Sequence, residues 1–108
     1  MFIHLKDNGH QKLVDICETL GKEELLGQLT EECGELIQAT QKVRRDLKGT
    51  TPVSLEEAQV HLTEEIADVA LCMDTLIELG LVDRTGVQFI GRYKCDRWHK
   101  RVIPDAEK

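Results

Sequence analysis

Aromatic residues supply only 4% of this 108-residue chain: two Phe, one Trp and one Tyr. A core built from such a sequence has to be aliphatic. Proline occurs twice, so helix breakers are few. No run reaches the roughly 18 apolar residues of a transmembrane helix, so no membrane span is expected. The opening "MFIHLKDNGH" has neither the basic start nor the apolar run of a secretory signal. Cys17, Cys33, Cys72 and Cys95 form no Cys-x-x-Cys pair, which leaves a structural zinc site unsupported. They read as reduced thiols of a cytoplasmic protein. Basic charge is short as well: 14 Lys and Arg stand against 20 Asp and Glu, a net charge of −6. That balance disfavours binding to a nucleic-acid duplex. Repeats and low-complexity tracts are absent.

What is present is ordinary globular composition, 41% hydrophobic and 31% charged, sized for a single domain over residues 1–108. Its periodicity is helical. Leu13, Val14, Ile16, Cys17 and Leu20 mark a short first helix ended by Gly21. A second runs from about Lys22 to Leu47, with basic residues in its last turns as the helix dipole favours. "GTTPV" at 49–53 reads as a loop. Ser54-Leu-Glu-Glu57 has the capping-box form and starts a third helix, which ends near Leu79. Asp83 or Thr85 caps a fourth, through about Val102. "VQFIGRY" alternates weakly, but its context favours helix. The expected fold is all-α with four helices.

Two stretches are more acidic than a helix face requires. "LTEECGELIQATQKVRR" contains Glu31, Glu32 and Glu35, and "HLTEEIADVALCMDTL" contains Glu64, Glu65 and Asp68. Like charges one turn apart cost an isolated helix roughly 0.2–0.5 kcal/mol per pair. At ~100° per residue, Leu25, Leu29, Cys33, Leu36, Ile37, Thr40, Val43 and Leu47 form the apolar stripe of the second helix, with Glu32 at its edge and Glu35 beside it. Leu55, Leu62, Ile66, Val69, Met73, Leu76 and Ile77 form that of the third, with Glu65 at its edge and Asp68 just outside. Antiparallel packing brings these borders together, and Gly34 permits a close approach.

Glu32/Glu35 and Glu65/Asp68 are each three residues apart, so each pair occupies adjoining helix positions. Four converging carboxylates raise one another's pKa or recruit a cation. Hard oxygen donors favour Mg²⁺, Mn²⁺ or Ca²⁺, and Mg²⁺ commonly works beside substrate phosphates. One Glu-x-x-Glu alone is ordinarily a solvated face; two on consecutive helices point to a cation site. On the fourth helix, Lys94, Arg97 and Arg101 fall within about 60°. They form a basic strip suited to phosphate, although basic residues near a helix C-terminus also suit the dipole. His61, one turn before Glu65, is within reach of the site, but reads first as an exposed or packed side chain; Trp98 reads as core rather than a base-stacking platform.

Glu31-Glu32-x-x-Glu35 followed by Glu65-x-x-Asp68 resembles the paired signature of the MazG-like all-α nucleotide pyrophosphohydrolases, relatives of the dimeric dUTPases and dCTP pyrophosphatases. The resemblance spans about residues 22–101, including Lys94-x-x-Arg97. It implies Mg²⁺-dependent cleavage (Mn²⁺ being a substitute) of a nucleoside triphosphate to monophosphate and pyrophosphate, in nucleotide-pool housekeeping. Glu32, Glu35, Glu65 and Asp68 would be metal ligands. Lys94, Arg97 and Arg101 would hold phosphates. Glu31 or Glu64 would orient or deprotonate the attacking water, and the residues do not choose between them. Gln28, Gln38, Gln41 and Asn8 are candidates for gripping a base, whose identity stays open.

The family forms dimers or tetramers, so the expected bundle is completed by oligomerisation, as a homodimer or homotetramer. The residues agree: Leu71, Leu79, Phe89, Ile90 and Tyr93 lie off the main stripes and form second apolar faces that need a partner. Two other classes compete. A carboxylate-bridged dimetal bundle needs repeated Glu-x-x-His motifs, and none occurs. A non-enzymatic, metal-binding helical interaction or regulatory module is the alternative the residues leave open.

Overall fold

Gly21 holds φ 83° and ψ 175°, in the region that L side chains with a Cβ rarely adopt. In a computed structural model, which describes residues 2–49 and 54–107, this one residue kinks α1 (Gly9–Leu47). The two segments so formed are the first and second helices expected from sequence. α2 (Leu55–Glu78) and α3 (Arg84–Val102) follow, with a short 3-10 turn (Pro104–Glu107). The described residues contain no strand, so the fold is all-α. Apart from Gly49, the expected 49–53 loop lies outside the described residues.

The helix ends follow local chemistry. Ser54 caps α2, its Oγ accepting from the Glu57 N–H at 3.4 Å, which is the Ser54 half of the capping box. Asp83, not Thr85, caps α3: its carboxylate accepts from the Thr85 N–H at 3.2 Å. Gly80, at φ 76°, takes the left-handed conformation that ends a helix cheaply.

α1 and α2 pack along their length as an antiparallel hairpin. Their contact follows a stricter period than 3.6. Beyond the kink, the buried and half-buried positions of α1 include Leu25, Leu29, Glu32, Leu36, Ala39, Val43 and Asp46, with Cys33 and Lys42 beside them; on α2 they include Ala58, Leu62, Glu65, Val69, Cys72 and Leu76. Steps alternating four and three make a heptad seam. A 100° wheel drifts about 20° per heptad away from such a seam. This corrects the apolar stripes expected from sequence. Ile37 (63% exposed) and Ile66 (51%) lie outside the seam, while Glu32 and Glu65 lie within it rather than at its border. Where the kinked end of α1 meets the end of α2, Cys17, Leu25 and Leu76 form a small core with Leu29, Leu79 and Val82 against it.

α3 contributes no buried residue. Trp98, read from sequence as core, is 63% exposed. The chain is accordingly extended: its radius of gyration is 17.4 Å, against about 13 Å for a compact domain of this length. No helix among the described residues is long and apolar enough to cross a membrane.

Candidate metal centre

The heptad seam places Glu32 and Glu65 between the two long helices, where an aliphatic residue would ordinarily sit. Three residues further on, Glu35 and Asp68 flank them. The opposite chain directions then cross the pairs, bringing Glu32 to Asp68 and Glu35 to Glu65. Oxygens of Glu32, Glu65 and Asp68 lie within 4.8 Å of one another. The structure thus gathers three of the four carboxylates singled out from the sequence, Glu32, Glu65 and Asp68; Glu35 is exposed beside them, close enough to Glu65 to feel its charge.

Electrostatics marks the cluster as unbalanced. Burial raises the pKa of Glu32, with Glu35 and Asp68 adding to it, while the hydrogen bond from Gln28 opposes. That bond runs from Gln28 Nε2 to Glu32 Oε1 at 2.9 Å. Glu35 is raised chiefly by the charge of Glu65, then by burial and by its proximity to Asp68 and Glu31. Glu65 is 7% exposed, and its Oε1 meets His61 Nε2 at 3.1 Å. The Oε2 atoms of Glu32 and Glu65 are buried without a hydrogen-bond partner. A buried, unsatisfied carboxylate oxygen is costly unless something positive meets it.

The donor set fits a hard divalent cation. Opposite ligands of an octahedral Mg²⁺ stand about 4.2 Å apart, twice a ~2.1 Å bond, so the observed spread needs only a small contraction. The nearby thiol of Cys72 is held protonated more firmly than usual, by burial and then by Glu32 and Asp68, which makes it a poor competing ligand. All four cysteines are free.

The two candidate bases differ. Glu31 is near enough to Glu35 to raise its pKa and lines an ≈850 Å³ concavity at the α1 kink, with Glu23, Glu24 and Gln28. Glu64 is exposed and has no hydrogen bond or ion pair among the described residues. Lys94, Arg97 and Arg101 share one exposed face of α3 with Trp98, around a ≈200 Å³ hollow. None is ion-paired to a cluster carboxylate; Arg97 instead lies over the Tyr93 ring, 5.8 Å from its centroid.

Sequence reading undervalued His61, whose ring reaches Glu65 rather than standing idle. The signal was its i, i+4 spacing from Glu65, which places the two on one helix face. Compared with known protein families, curated proteins and solved structures, the chain has no match.

Proposed function

We propose that this chain is a MazG-like, Mg²⁺-dependent nucleoside triphosphate pyrophosphohydrolase, releasing monophosphate and pyrophosphate. One observation carries the reading: Glu32, Glu65 and Asp68 from two helices meet, with the Oε2 atoms of Glu32 and Glu65 buried and unpartnered and Glu35 beside them. A purely structural helix pair gains nothing from that arrangement, since apolar residues would pack the same seam without the desolvation cost.

Glu32, Glu35, Glu65 and Asp68 would hold the metal, which supplies charge neutralisation at the phosphates and a more acidic bound water. Glu31, poised beside Glu35, is the better placed of the two candidate bases. His61, whose Nε2 stands 3.1 Å from Glu65 Oε1, would help orient Glu65. Lys94, Arg97 and Arg101 are assigned to phosphate oxygens, reaching a site completed by a second protomer of a homodimer or homotetramer. The working compartment is the cytoplasm, where the thiols stay reduced.

The test incubates the purified protein with Mg²⁺ and each canonical (d)NTP and measures pyrophosphate and orthophosphate, with an EDTA control. Pyrophosphate with monophosphate, abolished by EDTA and by Glu35→Gln with helicity retained, supports the reaction. Orthophosphate with diphosphate refutes the cleavage position. Metal binding without turnover of any nucleotide favours a non-enzymatic helical module instead.

A further inference from the structure

A further cavity, of ≈480 Å³, lies along α1, where Ile37, Gln38, Ala39, Gln41, Lys42 and Arg45 meet His61 of α2. Its size falls within the roughly 300–1,000 Å³ of small-molecule sites. We infer that this groove is an anion site that takes the polyphosphate chain of the substrate, resting on the hydrolase reading above.

Three observations converge on it. First, the charge reverses: in a chain of net charge −6, the polar lining of the groove is Lys42, Arg45, His61 and two amides, with no carboxylate, beside the apolar Ile37 and Ala39. Second, Lys42 is half-buried yet has no hydrogen-bond or ion-pair partner among the described residues. A partly desolvated ammonium without a counter-charge is an electrostatic vacancy for an anion. Third, His61 joins the groove to the carboxylates. The ring that lines the groove places Nε2 3.1 Å from Glu65 Oε1, so one imidazole separates the two regions.

The spacing supports a polyphosphate. Glu31, Glu35, Gln38, Lys42 and Arg45 follow one another in steps of four and three, a single stripe along α1. From Glu35 to Lys42 is two turns, about 10 Å. A chain of phosphates starting at the acidic end through a cation runs along this stripe to the basic end. A nucleobase fits less well. Gln41 already accepts a hydrogen bond from Arg44 Nη1 at 3.0 Å, and an uncharged ring leaves Lys42 uncompensated.

The experiment titrates inorganic tripolyphosphate with Mg²⁺ into the full chain by calorimetry, with orthophosphate as a separate arm. Lys42→Glu should weaken tripolyphosphate by about tenfold or more, the scale of one charge-assisted contact. Lys42→Arg should bind like the wild type, and Mg²⁺ affinity should be unchanged in both. If Lys42→Glu fails to fold, Lys42→Ala removes the ammonium alone. Undiminished binding by a folded Lys42→Glu or Lys42→Ala protein overturns the inference, as does a wild type that binds no tripolyphosphate. Equal affinity for orthophosphate shows a single-phosphate site and overturns the polyphosphate assignment. The two proposals fail separately. Tripolyphosphate binding that depends on Lys42, without turnover of any nucleotide, sinks the hydrolase reading and keeps the groove. Nucleotide turnover that Lys42→Glu leaves intact does the reverse.

Discussion

His61 Nε2 stands 3.1 Å from Glu65 Oε1, one turn along α2, while Glu65 Oε2 is buried with no partner. One oxygen of this seam carboxylate is therefore held, and the other is presented to the space shared with Glu32 and Asp68. Glu65→Gln keeps the shape and removes the charge. Mg²⁺ affinity should fall by more than about 100-fold, since even outer-shell changes cost metal sites 10–100-fold. The metal-free variant should melt above the wild type, because one of four repelling charges has gone. Calorimetry with Mg²⁺ and thermal melts in EDTA test both. A variant that binds Mg²⁺ as well as wild type removes Glu65 from the site.

The raised pKa values of Glu32 and Glu35 give the metal-free protein a definite pH dependence. A carboxyl whose pKa is higher folded than unfolded binds its proton more tightly in the native state. By linkage, native stability then falls as pH rises. The stabilisation is fully present below the ordinary value of 4.5 and is lost as pH climbs through the raised folded values. Melts in EDTA, taken upward from about pH 4, should show a declining Tm that Glu35→Gln flattens. Saturating Mg²⁺ should offset the decline, because a ligand that binds only the folded state stabilises it. A Tm that rises with pH in EDTA, equally in wild type and variant, contradicts the carboxylate repulsion.

Asp74 is a feature the sequence reading overlooked. It is 0% exposed and accepts hydrogen bonds from the backbone N–H groups of Phe2 at 2.7 Å and Ile3 at 2.9 Å. It thus ties the N-terminal segment to α2, more than seventy residues away in sequence. Asp74→Ala leaves two donors unpaired. Hydrogen bonds to a charged group are worth about 1.5–3 kcal/mol each, so urea unfolding should show a loss of about 2–4 kcal/mol. Mg²⁺ affinity should not change, because Asp74 is not among the clustered carboxylates. A loss of metal binding in a folded Asp74→Ala protein would give Asp74 a place in the site.

These cases show which parts of the molecule the sequence displays. Helix number, the Gly21 break and the Ser54 cap were legible, because each rests on chemistry within a few residues. The pairing of Glu32 and Glu35 with Glu65 and Asp68 was legible because two identical spacings fell on consecutive helices. The seam was not. A wheel of 3.6 residues per turn puts Ile37 and Ile66 inside and Glu65 at the edge, whereas the packed hairpin follows 3.5 and reverses them. Asp74 escaped because its partners are backbone amides at the far end of the chain, which no local pattern announces. Trp98 was misread for a related reason: its size favours burial, but the chain alone provides α3 with nothing to be buried against.

That last point leads to assembly. A helix in water draws most of its stability from the packing of an apolar face, yet none of the nineteen residues of α3 is buried. Phe89 (73% exposed), Ile90, Tyr93, Trp98 and Val102 stand open to solvent on it. The exposed Ile37 and Ile66 add a second apolar area on the hairpin. We propose that a second copy of the chain covers this aliphatic and aromatic surface; the radius of gyration is 17.4 Å. Light scattering after size exclusion should give a mass at least twice the 12.3 kDa of one chain. Phe89→Lys combined with Tyr93→Glu should yield monomers whose far-UV spectrum loses helix, because α3 without a partner is marginal. Any nucleotide hydrolysis should fall with it, since Lys94, Arg97 and Arg101 would no longer be presented to a neighbour. The carboxylate cluster lies within the α1–α2 hairpin, so any Mg²⁺ binding should survive in the monomer. A wild-type protein that stays monomeric at high concentration with α3 fully helical sinks this reading. Variant monomers that hydrolyse nucleotide at the wild-type rate remove the α3 basic row from the site.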